Sequence, residues 1–164
     1  MNCPYVFQAH FMNDQYFMKL ALKEAERALE HGDVPVGAVI VKDNQVIAKA
    51  HNQVELLKDP TAHAEMLALT QTAETLKSKW LEGTTMYVTL EPCSMCAGAL
   101  VLGRVEKLFY GAHDPKMGAC GSLIDVLGMP NVNHQINVSS GLEENASESL
   151  LKFFFTQLRN KSLN

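Results

Sequence analysis

The chain has 164 residues, 47% of them hydrophobic and 20% charged, with a formal net charge of −4. That balance excludes a dominantly disordered chain and a strongly basic nucleic-acid coat protein. No run approaches the roughly 20 apolar residues that a membrane span needs.

A chain of this size buries about 69% of its unfolded surface, enough for one core, so a single domain over residues 1–164 is expected. Residues 1–12 carry no charge and are expected to form a loosely ordered extension. Lys19 is the first basic residue, so no charged leader precedes an apolar run, and a cytoplasmic location is the default. Asn13 or Asp14 can cap a helix, in which Phe17, Leu20, Ala21, Ala25, Ala28 and Leu29 recur at helical spacing. His31-Gly32 stops it. Val36–Val41 reads as a buried strand, Asp43-Asn44 as a turn and Val46–Ala50 as the partner strand of a hairpin. A polar loop from His51 to Asp59 leads to a second helix, with Thr61 as its cap and Met66, Leu67, Leu69 and Ala73 on its apolar face. Thr85–Leu90 is rich in β-formers. A loop carrying Pro92 leads into a third helix over Ser94–Leu102, and Val105–Tyr110 reads as the next strand. A glycine-bearing loop over 111–121, a short edge strand at Ile136–Val138 and a closing helix over Glu143–Asn160 complete the chain. Strand–helix–strand connections are right-handed crossovers between parallel strands, whereas the hairpin is antiparallel. The expectation is an α/β fold: a three-layer α/β/α sandwich around a central mixed sheet.

Two segments carry the chemistry: Pro60-Thr61-Ala62-His63-Ala64-Glu65 and Glu91-Pro92-Cys93-Ser94-Met95-Cys96. Each sits where a loop turns into a helix. Cys93 and Cys96 are three apart and face one way, at a helix start that favours thiolates. With His63 they make a three-ligand zinc set, and three protein ligands leave a fourth position for water, as in catalytic zinc sites. Such a water has its pKa lowered to about 7. Glu65, two residues after His63, is placed at the first helical turn to move protons without binding the metal. Alone, C-x-x-C also fits a thiol redox motif or half of a structural site; a site of four cysteines would have to recruit Cys3 and Cys120. Four cysteines do not make a disulfide scaffold in a chain of this size. His10 and His31 read as packed or surface histidines.

H-x-E followed by P-C-x-x-C is the signature of zinc nucleobase deaminases. Together with Val34-Pro35-Val36-Gly37-Ala38, Tyr87-Val88-Thr89-Leu90 and Gly118-Ala119-Cys120-Gly121-Ser122-Leu123, it resembles the bacterial-type tRNA-specific adenosine deaminase family over residues 14–160. The resemblance implies a cytidine-deaminase-like fold, one zinc ion per subunit, a homodimer and a tRNA anticodon stem-loop as partner. It implies deamination of the wobble adenosine to inosine by zinc-bound hydroxide, with His63, Cys93 and Cys96 as ligands and Glu65 as proton shuttle. Asn52 and the backbone of Ala64 would hold the base, Asp114 would stand near the ribose and Lys116 near phosphate. Asn52 also fits a plain loop-shaping role, and Asp114-Pro115 an ordinary turn pair. Phe153, Phe154 and Phe155 cannot all point inward: at least one is expected in the core, and another could stack on a loop base, with Phe155 the candidate, or cover the dimer partner. No acid follows Glu148, while Lys152, Arg159 and Lys161 make the end of the chain basic. Two features depart from the family pattern. His113 stands where some relatives carry a more basic residue, and the closing helix has few arginines, hence fewer phosphate contacts.

Two other readings share these residues. A free-base deaminase for guanine or cytosine uses the same zinc set and calls for a closed pocket rather than an open, basic-rimmed one. A non-catalytic zinc subunit that only binds RNA or a partner would have no use for Glu65.

Overall fold

A computed structural model describes residues 4–162, with side chains from residue 13 onward. In chain order the elements are α1 (Pro4–Glu30), β1 (Gly37–Lys42), β2 (Gln45–His51), α2 (Val54–Leu57), α3 (Ala64–Leu76), β3 (Thr84–Leu90), α4 (Ser94–Leu102), β4 (Lys107–Ala112), β5 (Asn137–Ser140) and α5 (Glu144–Ser162). The strands form one sheet in the order β2-β1-β3-β4-β5. β1 is antiparallel to both β2 and β3, and β3, β4 and β5 run parallel. The expected mixed α/β sheet, with its hairpin and crossover, is therefore present.

The hairpin turns at Asp43 and Asn44, with φ of 49° and 62°. Both residues tolerate the left-handed region, and two such residues in sequence match the twist of the strands they join. Along β1 the side chains alternate between two cores. Ala38 and Ile40 pack with Met86, Val88, Leu100 and Leu108, on the face covered by α3 and α4. Val39 and Val41 pack with Phe17, Met18, Ala21 and Tyr87, on the face covered by α1 and α5. Burial on both faces is why this strand reads as an unbroken apolar run. Gly37 opens it against α1, where a Cβ would lie 2.0 Å from the Ala21 carbonyl oxygen and 2.5 Å from the Ala25 nitrogen. Only glycine allows that approach.

Four local expectations are corrected. α1 begins at Pro4, so Asn13 and Asp14 lie inside the helix rather than at its cap. Their side chains serve tertiary contacts instead of a cap: Tyr87 Oη donates to Asp14 at 2.6 Å, and Asn13 donates to Asn44 at 3.0 Å. α3 begins at Ala64 with His63 as its extended N-cap, not at Thr61. Thr61 is held back by Asp59, to which its N–H and hydroxyl donate at 2.8 and 2.7 Å. The polar loop after β2 contains α2, and β4 lies two residues later than expected, at Lys107–Ala112. Among the described residues, no helix is long and apolar enough to cross a membrane.

Candidate active site

β3 delivers Glu91-Pro92-Cys93 to one edge of the molecule, and α3 and α4 begin there side by side. Their N-caps, His63 (φ −70°, ψ 150°) and Cys93 (φ −73°, ψ 175°), are both extended, so both side chains turn back over the helix ends. His63 Nδ1 lies 3.6 Å from Cys93 Sγ and 3.6 Å from Cys96 Sγ. All three ligand-type atoms fall within 4.8 Å of one another. The three residues singled out as metal ligands are thus brought together. One imidazole nitrogen and two sulfurs form a soft donor set that fits zinc and not magnesium or calcium.

The protons on this cluster are shared. The Cys96 thiol holds Cys93 down to about 4 through a hydrogen bond, helped by His63. Cys96 is pushed up by the same bond and by burial. His63 is raised, chiefly by its bond to Cys93. A divalent cation takes the place of such protons, because it binds thiolates and neutral imidazole.

Glu65 is the second residue of α3 and is buried. Burial pushes its carboxyl up to about 7, against the opposing charge of His63. Because His63 is an extended cap rather than a helical residue, the two-residue spacing does not send the side chains apart. Both line a cleft of about 290 Å3, together with Asn52, Val54, Cys93 and Asp114.

Asn52 is buried at the end of β2, and its N–H donates to Val36 O at 2.9 Å. Asn52 is one of the residues that line the cleft. Ala64 is fully buried at the first position of α3, where a backbone N–H has no intrahelical acceptor. Asp114 lines the cleft, and its carboxylate also accepts from the N–H groups of Lys116 and Met117 at 2.9 and 3.2 Å, so the turn reading holds as well. Lys116 is not in this cleft. It lines a neighbouring groove of about 390 Å3 with Lys152, Phe155 and Arg159. Of the three aromatics in α5, Phe154 is buried, whereas Phe153 and Phe155 are 56% and 45% exposed.

Two carboxylates at the cleft were given no role by the sequence. Asp33 is buried, and accepts from the backbone N–H groups of Glu55 and Leu56 at 2.7 and 3.1 Å, holding the start of α2. An Asp after a Gly reads only as a turn, so no sequence signal marks it. Glu91 has a fully buried carboxylate. It accepts from the N–H groups of Asp114 (3.0 Å), Cys120 (3.0 Å) and Ser122 (3.1 Å), and from the Ser122 hydroxyl. Burial alone would raise it, but these bonds outweigh burial and hold it below the usual carboxylate range. Its place before Pro92-Cys93 is the one signal the sequence offers.

The family model for MafB19-like deaminases matches residues 12–159. A tRNA-specific adenosine deaminase of Aquifex aeolicus (strain VF5) is 54% identical over 149 residues, covering 91% of this chain and 98% of that protein. A solved structure from studies of A-to-I editing by tRNA:A34 deaminases at the wobble position of transfer RNA superposes with a TM-score of 0.80. It is 46% identical and covers 83% of this chain and 99% of its own. A guanine deaminase of Nitrosomonas europaea superposes with a TM-score of 0.70 at 22% identity, covering 85% of this chain and 83% of its own, a likeness of fold alone.

Proposed function

This chain belongs to the MafB19-like deaminase family, and we propose that it hydrolytically deaminates adenosine to inosine at the wobble position of tRNA anticodons. The observation that carries this reading is the juxtaposition, in one cleft, of the His63, Cys93 and Cys96 cluster with the buried carboxyl of Glu65. The identity of 54% to a tRNA-specific adenosine deaminase supports the choice of substrate.

His63 Nδ1 and the sulfurs of Cys93 and Cys96 would hold one zinc ion per subunit. Zinc in such a site supplies Lewis acidity that lets a water ionise near neutral pH. Glu65 does the proton work. Its carboxylate takes a proton from the attacking water, its carboxyl returns one to the adenine ring nitrogen, and a second transfer lets ammonia leave. Burial raises this carboxyl, which favours a group that can hold a proton as well as release one. The amide of Asn52 can donate to and accept from the base edge, and the free N–H of Ala64 can hold a ring substituent. Asp114 lines the same cleft and would meet the ribose that follows the base.

A stacked adenine does not expose its target atom, so the enzyme needs an unpaired or flipped base, and an anticodon loop offers one. The cleft has room for one base and is joined through Lys116-Met117 to the groove of Lys116, Lys152 and Arg159. That basic rim supports an RNA partner over a free base, with Phe155 placed to stack on a neighbouring base. Leu102, Leu123, Ile124 and Met129 are all about half exposed or more. Such apolar surface suits cover by a second copy, in keeping with a homodimer, and the proposed setting is the cytoplasm. Glu65 speaks against a subunit that only binds.

The test is a deamination assay on an anticodon stem-loop carrying wobble adenosine, run beside free adenosine, guanine and cytosine. Inosine formed in the RNA, lost with chelator and restored by zinc, is the expected result. Turnover of a free base and none of the RNA would overturn the tRNA reading and keep the metal chemistry.

A further inference from the structure

We propose that Glu91 is a positioning residue for the substrate: its buried carboxylate locks the loop over 114–122 onto the segment bearing Cys93, and so sets where Asp114 stands at the cleft. This inference rests on the reading that Asp114 contacts the substrate.

The loop is tied to the Cys93 segment at several points. Ala119 N donates to Pro92 O at 2.8 Å, and Cys93 and Gly118 form an isolated antiparallel bridge. Glu91 anchors the remainder. Its Oε1 takes the N–H groups of Cys120 and Ser122, and its Oε2 takes the N–H of Asp114 and the Ser122 hydroxyl. All four donors come from one loop, and none from the sheet core or the covering helices. Gly118 lets the loop close down on the carboxylate, since a Cβ there would lie 2.4 Å from Glu91 Cδ. A weaker tie would therefore loosen the loop rather than unfold the domain.

An ionised carboxylate is the one side chain that can accept at both ends and donate at neither. Glutamine keeps the shape but brings an NH2 group to one end. The Ser122 hydroxyl can rotate to accept from that NH2. The Asp114 N–H cannot, so the nitrogen settles at the Oε2 position and the Asp114 N–H is the donor left without an acceptor. The damage falls on the residue proposed to meet the ribose, and none of the metal-type ligands is altered.

The experiment measures zinc content, kcat and KM on the anticodon stem-loop for Glu91→Gln, Ser122→Ala, Asp114→Ala and the Glu91→Gln/Asp114→Ala pair. Expected for Glu91→Gln are zinc content near that of the parent, kcat within about twofold and KM raised about tenfold, which corresponds to about 1.4 kcal/mol. Ser122→Ala removes one donor at an exposed position and should raise KM by a smaller factor. It carries the test alone if Glu91→Gln does not fold. The double variant should be no worse in KM than Asp114→Ala, because Glu91 acts through that residue. Loss of zinc, a fall in kcat at constant KM, or additive KM effects in the double variant would each overturn the inference. So would an unchanged KM in both Glu91→Gln and Ser122→Ala while Asp114→Ala raises it, and that result leaves the substrate role of Asp114 standing. An unchanged KM in Asp114→Ala would instead remove that role, and the inference with it.

Discussion

Replacing Glu65 by Gln separates what this carboxyl does to the fold from what it does in the reaction. Burial lifts Glu65 from the ordinary 4.5 to about 7. A carboxyl raised in this way binds its proton more tightly in the folded state than in the unfolded one. Its effect is absent below about pH 4.5, where both states are protonated. Stability is then lost as pH rises toward about 7, and the loss is complete above it. At about 1.4 kcal/mol per unit of pKa, the loss amounts to about 3 kcal/mol at pH 8, and to under about 1 kcal/mol at pH 5. Glutamine has the same shape and no charge to desolvate, so it should return that stability. Urea unfolding of chelator-treated protein reads the difference directly. Glu65→Gln should be about 3 kcal/mol more stable than the parent at pH 8 and nearly equal to it at pH 5. Zinc should narrow the gap at pH 8, because a cation opposes the charge that burial penalises. The variant should retain zinc and lose at least about 100-fold in turnover, the lower end for a general acid–base group. A gap of equal size at both pH values would refute the burial argument, and undiminished turnover would refute the proton shuttle.

Cys96→Ser should leave zinc bound at well under one equivalent per chain, read by elemental analysis after dialysis, since a buried hydroxyl is a poor substitute for thiolate. Zinc retained at one equivalent would mean that His63 and Cys93 recruit another ligand. Gly37→Ala forces a Cβ into the backbone of α1, with Ala21 O at 2.0 Å, and should cost about 3 kcal/mol or more, the upper range for point changes. That lowers Tm by roughly 6–12 °C at this chain length, and a fall of less than about 2 °C in a thermal melt would show that β1 and α1 move apart freely. Lys152→Ala with Arg159→Ala should weaken RNA binding. It should also flatten the dependence of log Kd on log salt by about 1.4, the value for two contacts to single-stranded phosphate. An unchanged slope would remove the α5 groove from the RNA interface.

Most of the sheet is legible in the sequence because its central strands, β1, β3 and β4, are largely buried. β1 reads as a continuous apolar run since both of its faces are covered, and α4 matches its expected bounds from Ser94 to Leu102. The caps are not legible, because a cap is chosen by what else its side chain can reach. Asn13 and Asp14 are good cap residues by type, yet Asn44 and Tyr87 claim them from elsewhere in the fold. Thr61 is the better cap by propensity, and Asp59 takes both of its donors, so His63 becomes the cap of α3 and its side chain faces the cysteines. α2 is four residues long and has no apolar period to reveal it; its start is held by Asp33, about twenty positions earlier in the chain.

The metal-type cluster is legible for the opposite reason. A His and a Cys-x-x-Cys pair leave few geometries open once two helix starts are set side by side. What the letters do not carry is the difference between Glu65 and Glu91. Both carboxylates are buried and both line the same cleft. Glu65 has burial as the dominant influence, and stands near 7. Glu91 has four donors aimed at it, which hold it ionised against burial. Environments that push two carboxyls apart divide their labour: one keeps a proton that can move at neutral pH, and the other keeps a fixed charge around which a loop can be built. The division is made by the loop over 114–122, which supplies donors to Glu91 and none to Glu65. Changes in that loop should therefore alter substrate placement while leaving the proton chemistry of Glu65 in place.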